Sequence, residues 1–97
     1  MWKISVHRLV WEEDFAKMDK SVQNTILRTI YKKLSIDPQG YGEPLRRGLK
    51  GFWKLKISDY RVIYAIEKQE VKVLVLKVGM RRDEQVYRSM MNRLNKL

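Results

Sequence analysis

Apolar and polar residues alternate with two different periods along this chain, and each change of period marks a predicted element. A period of two residues is typical of strands, and a period of about 3.6 residues is typical of helices. Residues 2–7 alternate and predict a half-buried first strand. Three further β-rich runs, at 52–57, 60–66 and 71–78, predict strands in the second half of the chain.

Apolar residues recur at helical spacing in the segment that follows the first predicted strand. Trp11, Phe15 and Met18 have this spacing, and three acidic residues in the same segment favour the start of a helix there. We expect this short helix to end near Lys20, and Ser21 can cap a second helix. The apolar stripe of the second helix consists of Val22, Ile26, Ile30 and Leu34. The two predicted helices form a helical hairpin with one apolar side.

The segment 37–40, Asp-Pro-Gln-Gly, ends the second helix, since proline lacks an amide donor and restricts the residue before it. A loop is predicted over 38–47, which holds two prolines and two glycines. A C-terminal helix is predicted from about Asp83. Its buried stripe is expected to contain Val86, Met90 and Leu94, and its outer face Arg88, Asn92, Arg93 and Lys96.

The predicted order of elements is therefore β-α-α-β-β-β-α. Helices followed by hairpin-connected strands favour an α+β fold. We expect a mainly antiparallel four-stranded sheet with an N-terminal helical hairpin and a C-terminal helix. A chain of 97 residues has enough apolar surface for one core, so residues 1–97 are predicted to form a single domain.

A two-residue turn at Ser58 and Asp59 would pair the second strand with the third. Lys56 then lies opposite Arg61, and Lys54 shares their face of the sheet. Like charges directly across a ladder are destabilising, so this arrangement either costs stability without a function or serves to bind a polyanion. The prediction depends on the register, because a slip of one residue would send Lys56 and Arg61 to opposite faces.

Charge supports the same interpretation. The 21 Lys and Arg residues outnumber the 11 Asp and Glu residues, which gives a net charge of +10. Nucleic acid, an anionic membrane or an acidic protein are the partners that such a charge favours. The absence of cysteine excludes disulfides and thiolate metal sites, and it favours the cytoplasm. No apolar run approaches the roughly 20 residues of a membrane span, so membrane insertion is not expected. Of these partners we expect nucleic acid and an acidic protein, and no membrane.

The common catalytic motifs are missing from the sequence. There is no phosphate-binding P-loop, no His-Glu-x-x-His and no Gly-x-Ser-x-Gly. His7 is the only histidine, and the aspartates are scattered, so neither a histidine pair nor a Mg²⁺ site is predicted. We therefore expect no metal and no cofactor.

Several short motifs resemble the RelE family of bacterial and archaeal toxins, within the RelE/ParE superfamily. These motifs are Lys54-Leu55-Lys56, Tyr60-Arg61-Val62-Ile63-Tyr64, Val78-Gly79-Met80-Arg81, Tyr87 and the 44–49 segment Pro-Leu-Arg-Arg-Gly-Leu. Each is weak alone, but their order and spacing extend the resemblance over nearly the whole chain.

The resemblance implies a ribosome-dependent endoribonuclease that cuts mRNA in the ribosomal A site and is held inactive by an acidic, RelB-like antitoxin. The positions that match the family's active site are Lys54, Lys56, Arg61, Arg81 and Tyr87. Contacts with mRNA or with the ribosome and its 16S rRNA are predicted for Arg46, Arg47, Lys50, Phe52, Lys77, Arg82 and Arg88.

These residue types suit metal-free RNA cleavage, in which the 2′-hydroxyl attacks the adjacent phosphorus. Arginine stays charged and can hold two phosphate oxygens, so Arg61 and Arg81 are predicted at the phosphate or the leaving oxygen. Either Lys54 or Lys56 is the predicted general base, and Tyr87 could stack on a base or hydrogen-bond the 2′-hydroxyl.

Two alternatives stay open. The ParE branch of the superfamily inhibits DNA gyrase, although its members generally lack the full Lys, Arg and Tyr set that this chain has. A non-catalytic RNA-binding or DNA-binding module would use the same basic face.

Overall fold

The computed structural model describes residues 1–80 and 85–97. Its strands are β1 (Lys3–Val6), β2 (Glu43–Pro44), β3 (Trp53–Ile57), β4 (Tyr60–Glu67) and β5 (Lys72–Met80). Its α-helices are α1 (Lys20–Leu34), α2 (Pro38–Tyr41) and α3 (Gln85–Arg93). The predicted α+β class is confirmed. The predicted start of the C-terminal helix near Asp83 lies outside the described residues.

The described strands form one sheet in the order β1-β5-β4-β3-β2. Among the described strands, only β1 and β5 pair in parallel, so the sheet is mainly antiparallel as predicted. The predicted number of strands, four, is wrong because β2 pairs with the outer edge of β3. This strand has two residues, one of them Pro44, and proline is tolerated at a sheet edge. The segment 38–47 therefore contains α2 and β2 rather than a simple loop.

The predicted turn between β3 and β4 is confirmed. Ile57 pairs with Tyr60, Lys56 with Arg61 and Lys54 with Ile63. Ser58 begins the turn with a φ of 52°, a left-handed conformation that a tight hairpin turn requires. The strand register therefore places Lys56 and Arg61 on one face of the sheet.

Each face of the sheet carries its own apolar cluster. The first cluster lies under α1 and contains Ile26, Ile30, Leu34, Leu55, Val62 and Tyr64 among its buried residues. The second lies under α3 and contains Leu49, Ile63, Leu76, Val86 and Met90. Val86 and Met90 are buried as their helical spacing predicts. Because the second cluster includes Ile63, it occupies the same face as Lys54 and Arg61.

The predicted first helix is not a regular α-helix. Val10–Asp14 forms a π-helical turn, and Phe15–Lys17 continues as a 3₁₀ turn. These two turns direct Val10, Asp14 and Phe15 inward, whereas Trp11 is 48% exposed. Asp14 explains why this segment departs from a regular α-helix, because its buried carboxylate accepts hydrogen bonds from β5 and α3.

Arg93 also departs from its predicted place on the outer face of α3. It is 3% exposed, and its guanidinium nitrogens lie 2.9 and 2.8 Å from the two carboxylate oxygens of Asp14. It also donates to Glu13 and to the Leu76 carbonyl oxygen. Burial alone would lower the pKa of Arg93, but its hydrogen bonds and charge attraction to Asp14 and Glu13 outweigh burial and raise it. The network fastens α3 to β5 and to the N-terminal turn.

Candidate active site

Three of the predicted catalytic residues come together on the face of the sheet that α3 covers. Lys54 and Lys56 lie on β3, and Lys56 is the direct cross-strand partner of Arg61 on β4. Arg61 is half-buried, and its Nη1 donates to the carbonyl oxygens of Ser58 and Tyr60 at 3.3 and 3.0 Å. These two bonds hold the guanidinium beside the hairpin turn.

Tyr87 extends this cluster onto α3. The Nζ atom of Lys54 lies 5.7 Å from the centroid of the Tyr87 ring, a cation–π contact between β3 and α3. Tyr87 is half-buried and packs against the second apolar cluster, so its position is fixed by the packing of α3 on the sheet. The structure thus brings together Lys54 and Tyr87, which are far apart in sequence.

A groove of about 470 Å³ continues from this contact. Its walls carry four cations and an aromatic ring, namely Arg46, Arg47, Lys54, Tyr87 and Arg88. Apolar side chains also line it, from Leu45, Leu49 and Met91. Guanidinium groups suit phosphate, and apolar and aromatic surfaces suit the face of a nucleobase. The groove therefore has the chemistry of a nucleotide-binding surface.

The loop that carries Arg46 and Arg47 is held by a short local fold. A 3₁₀ turn spans Arg47–Leu49, with Arg47 at a φ of 55°. Leu49 is buried in the second cluster, and the Leu45 amide donates to the Phe52 carbonyl oxygen at 2.9 Å. The buried Leu49 side chain and the hydrogen bond between Leu45 and Phe52 thus hold this loop in place, and Arg46 and Arg47 line the groove.

The remaining predicted RNA-contacting residues have different surroundings. Lys50 is exposed at the end of this turn and does not line the groove. Phe52 is half-buried against the second cluster. Lys77 is 9% exposed, and its Nζ lies 3.0 Å from Asp14 Oδ1. The ammonium group of Lys77 is directed at a buried carboxylate rather than at the surface, so we leave Lys77 out of the proposed RNA surface.

Glu43 contacts the candidate site, and the sequence did not reveal this residue. Its Oε1 lies 3.4 Å from Nζ of Lys56, and both side chains are 55% exposed. The pair forms because β2 adds Glu43 to the edge of β3. A two-residue strand leaves no periodic signal in the sequence, so only the sheet pairing shows this contact. Lys56 therefore faces the carboxylate of Glu43 as well as the like charge of Arg61.

Arg81 and Arg82 lie outside the described residues, and their predicted roles stay predictions. Within residues 1–80 and 85–97, no group of three or more His, Cys, Asp or Glu side chains is arranged to hold a metal ion. No helix in this described part of the chain has the length and apolar character needed to cross a membrane.

Comparison with known proteins agrees with this architecture. Residues 9–85 match the family model of the ParE toxin of type II toxin–antitoxin systems. Toxin RelG of Mycobacterium tuberculosis is 31% identical over 75 residues, which cover 77% of this chain and 84% of that protein. The toxin–antitoxin complex RelBE2 of the same organism has a chain with a TM-score of 0.77 at 25% identity, covering 82% of this chain and 98% of that one.

The isolated RelE toxin of E. coli shares the fold. Its TM-score is 0.66 at 20% identity, and the match covers 97% of this chain and 99% of that chain. The family match spans most of the described sheet, including the β3–β4 hairpin that carries Lys54, Lys56 and Arg61. The chain therefore belongs to the ParE toxin family, within the RelE/ParE superfamily of toxins from type II toxin–antitoxin systems.

Proposed function

We propose that this toxin is a cytoplasmic, ribosome-dependent endoribonuclease that cleaves mRNA in the ribosomal A site without a metal ion and so inhibits translation. The observation that carries the proposal is the β3–β4 register, which sets Lys56 opposite Arg61 and places Lys54 on the same face. Lys54 and Tyr87 also line the groove, so this face of the sheet continues into a groove that carries three arginines.

The proposed reaction uses the 2′-hydroxyl of the RNA as the nucleophile. The 2′-oxygen bonds to the adjacent phosphorus while the bond to the 5′-oxygen of the next nucleotide breaks. The products are a 2′,3′-cyclic phosphate and a 5′-hydroxyl end. The 2′-hydroxyl proton goes to a general base, and the leaving 5′-oxygen takes up a proton. Neither step needs a redox partner or a covalent enzyme intermediate.

Each residue of the site has a proposed role. Arg61 neutralises the charge that develops on the phosphate, which a fixed guanidinium can do without reorganisation. Arg81 acts on the phosphate or the leaving oxygen. One of Lys54 and Lys56 is the general base, and Glu43 is a further candidate because its carboxylate contacts Lys56. Tyr87 stacks on a base or binds the 2′-hydroxyl.

The cognate partner is proposed to be an acidic antitoxin of the RelB type. A similar solved structure is itself a toxin–antitoxin complex. The exposed arginines of the groove, Arg46, Arg47 and Arg88, would attract an acidic segment and lose access to RNA when covered. We therefore expect the antitoxin to inhibit cleavage by occupying this basic face.

The test is to map mRNA cleavage on purified ribosomes with and without the protein. The expected result is ribosome-dependent cuts at A-site codons, with 2′,3′-cyclic phosphate ends. Arg61→Ala should lower the single-turnover rate constant by about tenfold or more, or about 1.4 kcal/mol. Lys68→Ala, which removes an exposed cation at the far end of β4, should leave the rate unchanged. A loss below about threefold for Arg61→Ala would refute its assigned role.

A second candidate activity is inhibition of DNA gyrase, because the matched family model is that of ParE toxins. A supercoiling assay with purified gyrase separates the two activities. Inhibition of supercoiling without any cleavage of ribosome-bound mRNA would favour gyrase. A non-catalytic RNA-binding module would give neither result.

A further inference from the structure

The outward face of α1 carries a basic stripe that the proposed catalysis does not use. Five exposed residues follow one another at helical spacing and are called here the α1 stripe: Lys20, Asn24, Arg28, Tyr31 and Lys32. Three of them are cations, and Tyr31 is 50% exposed. Steps of four residues along a helix advance about 6 Å, so the stripe is a row of evenly spaced polar groups.

The charges of this stripe are not balanced within the helix. The sequence of α1, Lys20–Leu34, contains no Asp or Glu. Arg28 and Lys32 stand four residues apart, a spacing at which like charges destabilise a helix. Among the described residues, no carboxylate forms an ion pair with Lys20, Arg28 or Lys32. By contrast, Arg8 pairs with Glu12 at 3.0 Å in the N-terminal turn, so the chain neutralises cations elsewhere.

The α1 stripe and the active site can be occupied at the same time. Ile26 and Ile30 bury the inner side of α1 in the first apolar cluster. Lys54 and Arg61 lie on the opposite face of the sheet, beside the second cluster. A ligand on the α1 stripe therefore approaches from the other side of the molecule and does not compete with RNA in the groove.

The chemistry of the stripe favours a phosphate backbone over a protein partner. Arg, Lys, Asn and Tyr side chains are the types that contact phosphate and sugar. A disordered acidic protein that folds on binding needs apolar anchors to offset its ordering entropy. Tyr31 is the one large exposed apolar group of the stripe, whereas the groove beside Lys54 offers several.

We propose that the α1 stripe binds the phosphate backbone of ribosomal RNA and so docks the toxin on the ribosome while the opposite face holds mRNA. This inference rests on the proposed function and adds the surface that makes the activity depend on the ribosome. The stripe is a docking surface, so its loss should raise the ribosome concentration needed for half-maximal cleavage without changing the rate at saturation.

Charge reversal with a control matched in net charge tests the proposal. Arg28→Glu with Lys32→Glu alters the stripe, and Lys3→Glu with Lys68→Glu makes the same change of net charge at exposed sites on β1 and after β4. The stripe variant should bind 30S subunits about tenfold more weakly than the control in sedimentation assays. Its plot of log affinity against log salt should lose about two units of slope, as expected for two lost phosphate contacts. Both variants should saturate at the same cleavage rate.

The outcomes separate the two proposals. Equal ribosome binding by the stripe variant and its control overturns the docking role and leaves the nuclease intact. Loss of antitoxin binding with normal ribosome binding also overturns it, because the surface then serves the antitoxin. Ribosome binding by the original chain without cleavage overturns the nuclease but not the docking surface. If charge reversal unfolds the helix, Arg28→Gln with Lys32→Gln, compared with Lys3→Gln and Lys68→Gln, gives the same comparison.

Discussion

Asp14 is a buried carboxylate whose negative charge is balanced by two buried cations. Its carboxylate is 3% exposed and accepts hydrogen bonds from Lys77, Arg93 and the Val78 amide. A buried carboxylate of this kind is tolerated only because its partners are cationic and close. The same partners are themselves buried, so each charge depends on the others.

Neutralising Asp14 should therefore destabilise the fold strongly. In Asp14→Asn the cations Lys77 and Arg93 stay buried without their main counter-charge, and loss of one member of such a network costs about 3 kcal/mol. The measurement is the free energy of unfolding from denaturant titration. Glu12→Gln is the matched control, because its partner Arg8 is exposed and a surface pair contributes less than about 1 kcal/mol. Equal losses in the two variants would contradict the prediction.

Secondary-structure elements differ in how well their sequence predicts them. The β3–β4 hairpin was predictable because alternation and a two-residue turn both fix one register, and that register places Lys56 opposite Arg61. The apolar stripes of α1 and α3 were predictable because a repeat of about 3.6 residues marks one buried side of a helix. β2 was not, since two residues contain no period. Its absence from the prediction also hid the contact between Glu43 and Lys56.

The errors in the helices come from charged residues at buried positions. Arg93 stands three residues after Met90, and this spacing places it on the buried side of α3, but its charge suggested the surface. Asp14 is likewise a charged residue at a buried position, in the N-terminal turn. Each charge is buried because the other is present, and a partner 79 residues away cannot be read from local spacing.

The attachment of β2 to the sheet depends on a close contact at Gly42. A methyl group on Gly42 would lie 1.7 Å from the Tyr64 hydroxyl oxygen and 3.0 Å from the Lys54 carbonyl oxygen. That hydroxyl donates to the Pro38 carbonyl oxygen at 2.6 Å and is buried, which raises the pKa of Tyr64. Gly42→Ala should therefore cost about 1 to 3 kcal/mol of folding free energy, as overpacking does.

A double-mutant cycle tests this explanation by thermal and denaturant unfolding. Tyr64→Phe removes the clashing oxygen, so Gly42→Ala should cost clearly less in the Tyr64→Phe background than in the original chain. Gly48→Ala is the control, because its added methyl meets only the flexible end of Met91. Identical costs of Gly42→Ala in both backgrounds would show that the Tyr64 hydroxyl is not the obstacle.

Taken together, the elements place positive charge on two opposite sides of a small molecule. The described chain extends 32 × 32 × 22 Å, and the net charge of the whole sequence is +10. The sequence predicted one of these sides, at Lys54, Lys56 and Arg61, because strand alternation and the two-residue turn place these cations on one face, and the family resemblance points to the same residues. The apolar spacing of α1 also indicates its outward side, but only the fold shows that this side lies across the sheet from Lys54 and Arg61. The groove also could not be predicted from the sequence, because the loop with Arg46 and Arg47 is held in place by the buried Leu49.

Charge on this scale predicts how the free protein responds to salt. At about 0.01 M salt the screening length is about 30 Å, similar to the molecule itself, so its cations repel one another across the whole fold. At about 0.15 M it falls to about 8 Å, and only neighbours interact. NaCl over this range should raise the midpoint of thermal unfolding by a few degrees, or about 1 kcal/mol for a domain of this size. Arg28→Gln with Lys32→Gln should show a smaller rise, because two of the mutually repelling charges are gone.

A midpoint that stays constant or falls with salt would mean that local ion pairs, such as Arg8 with Glu12, outweigh the long-range repulsion.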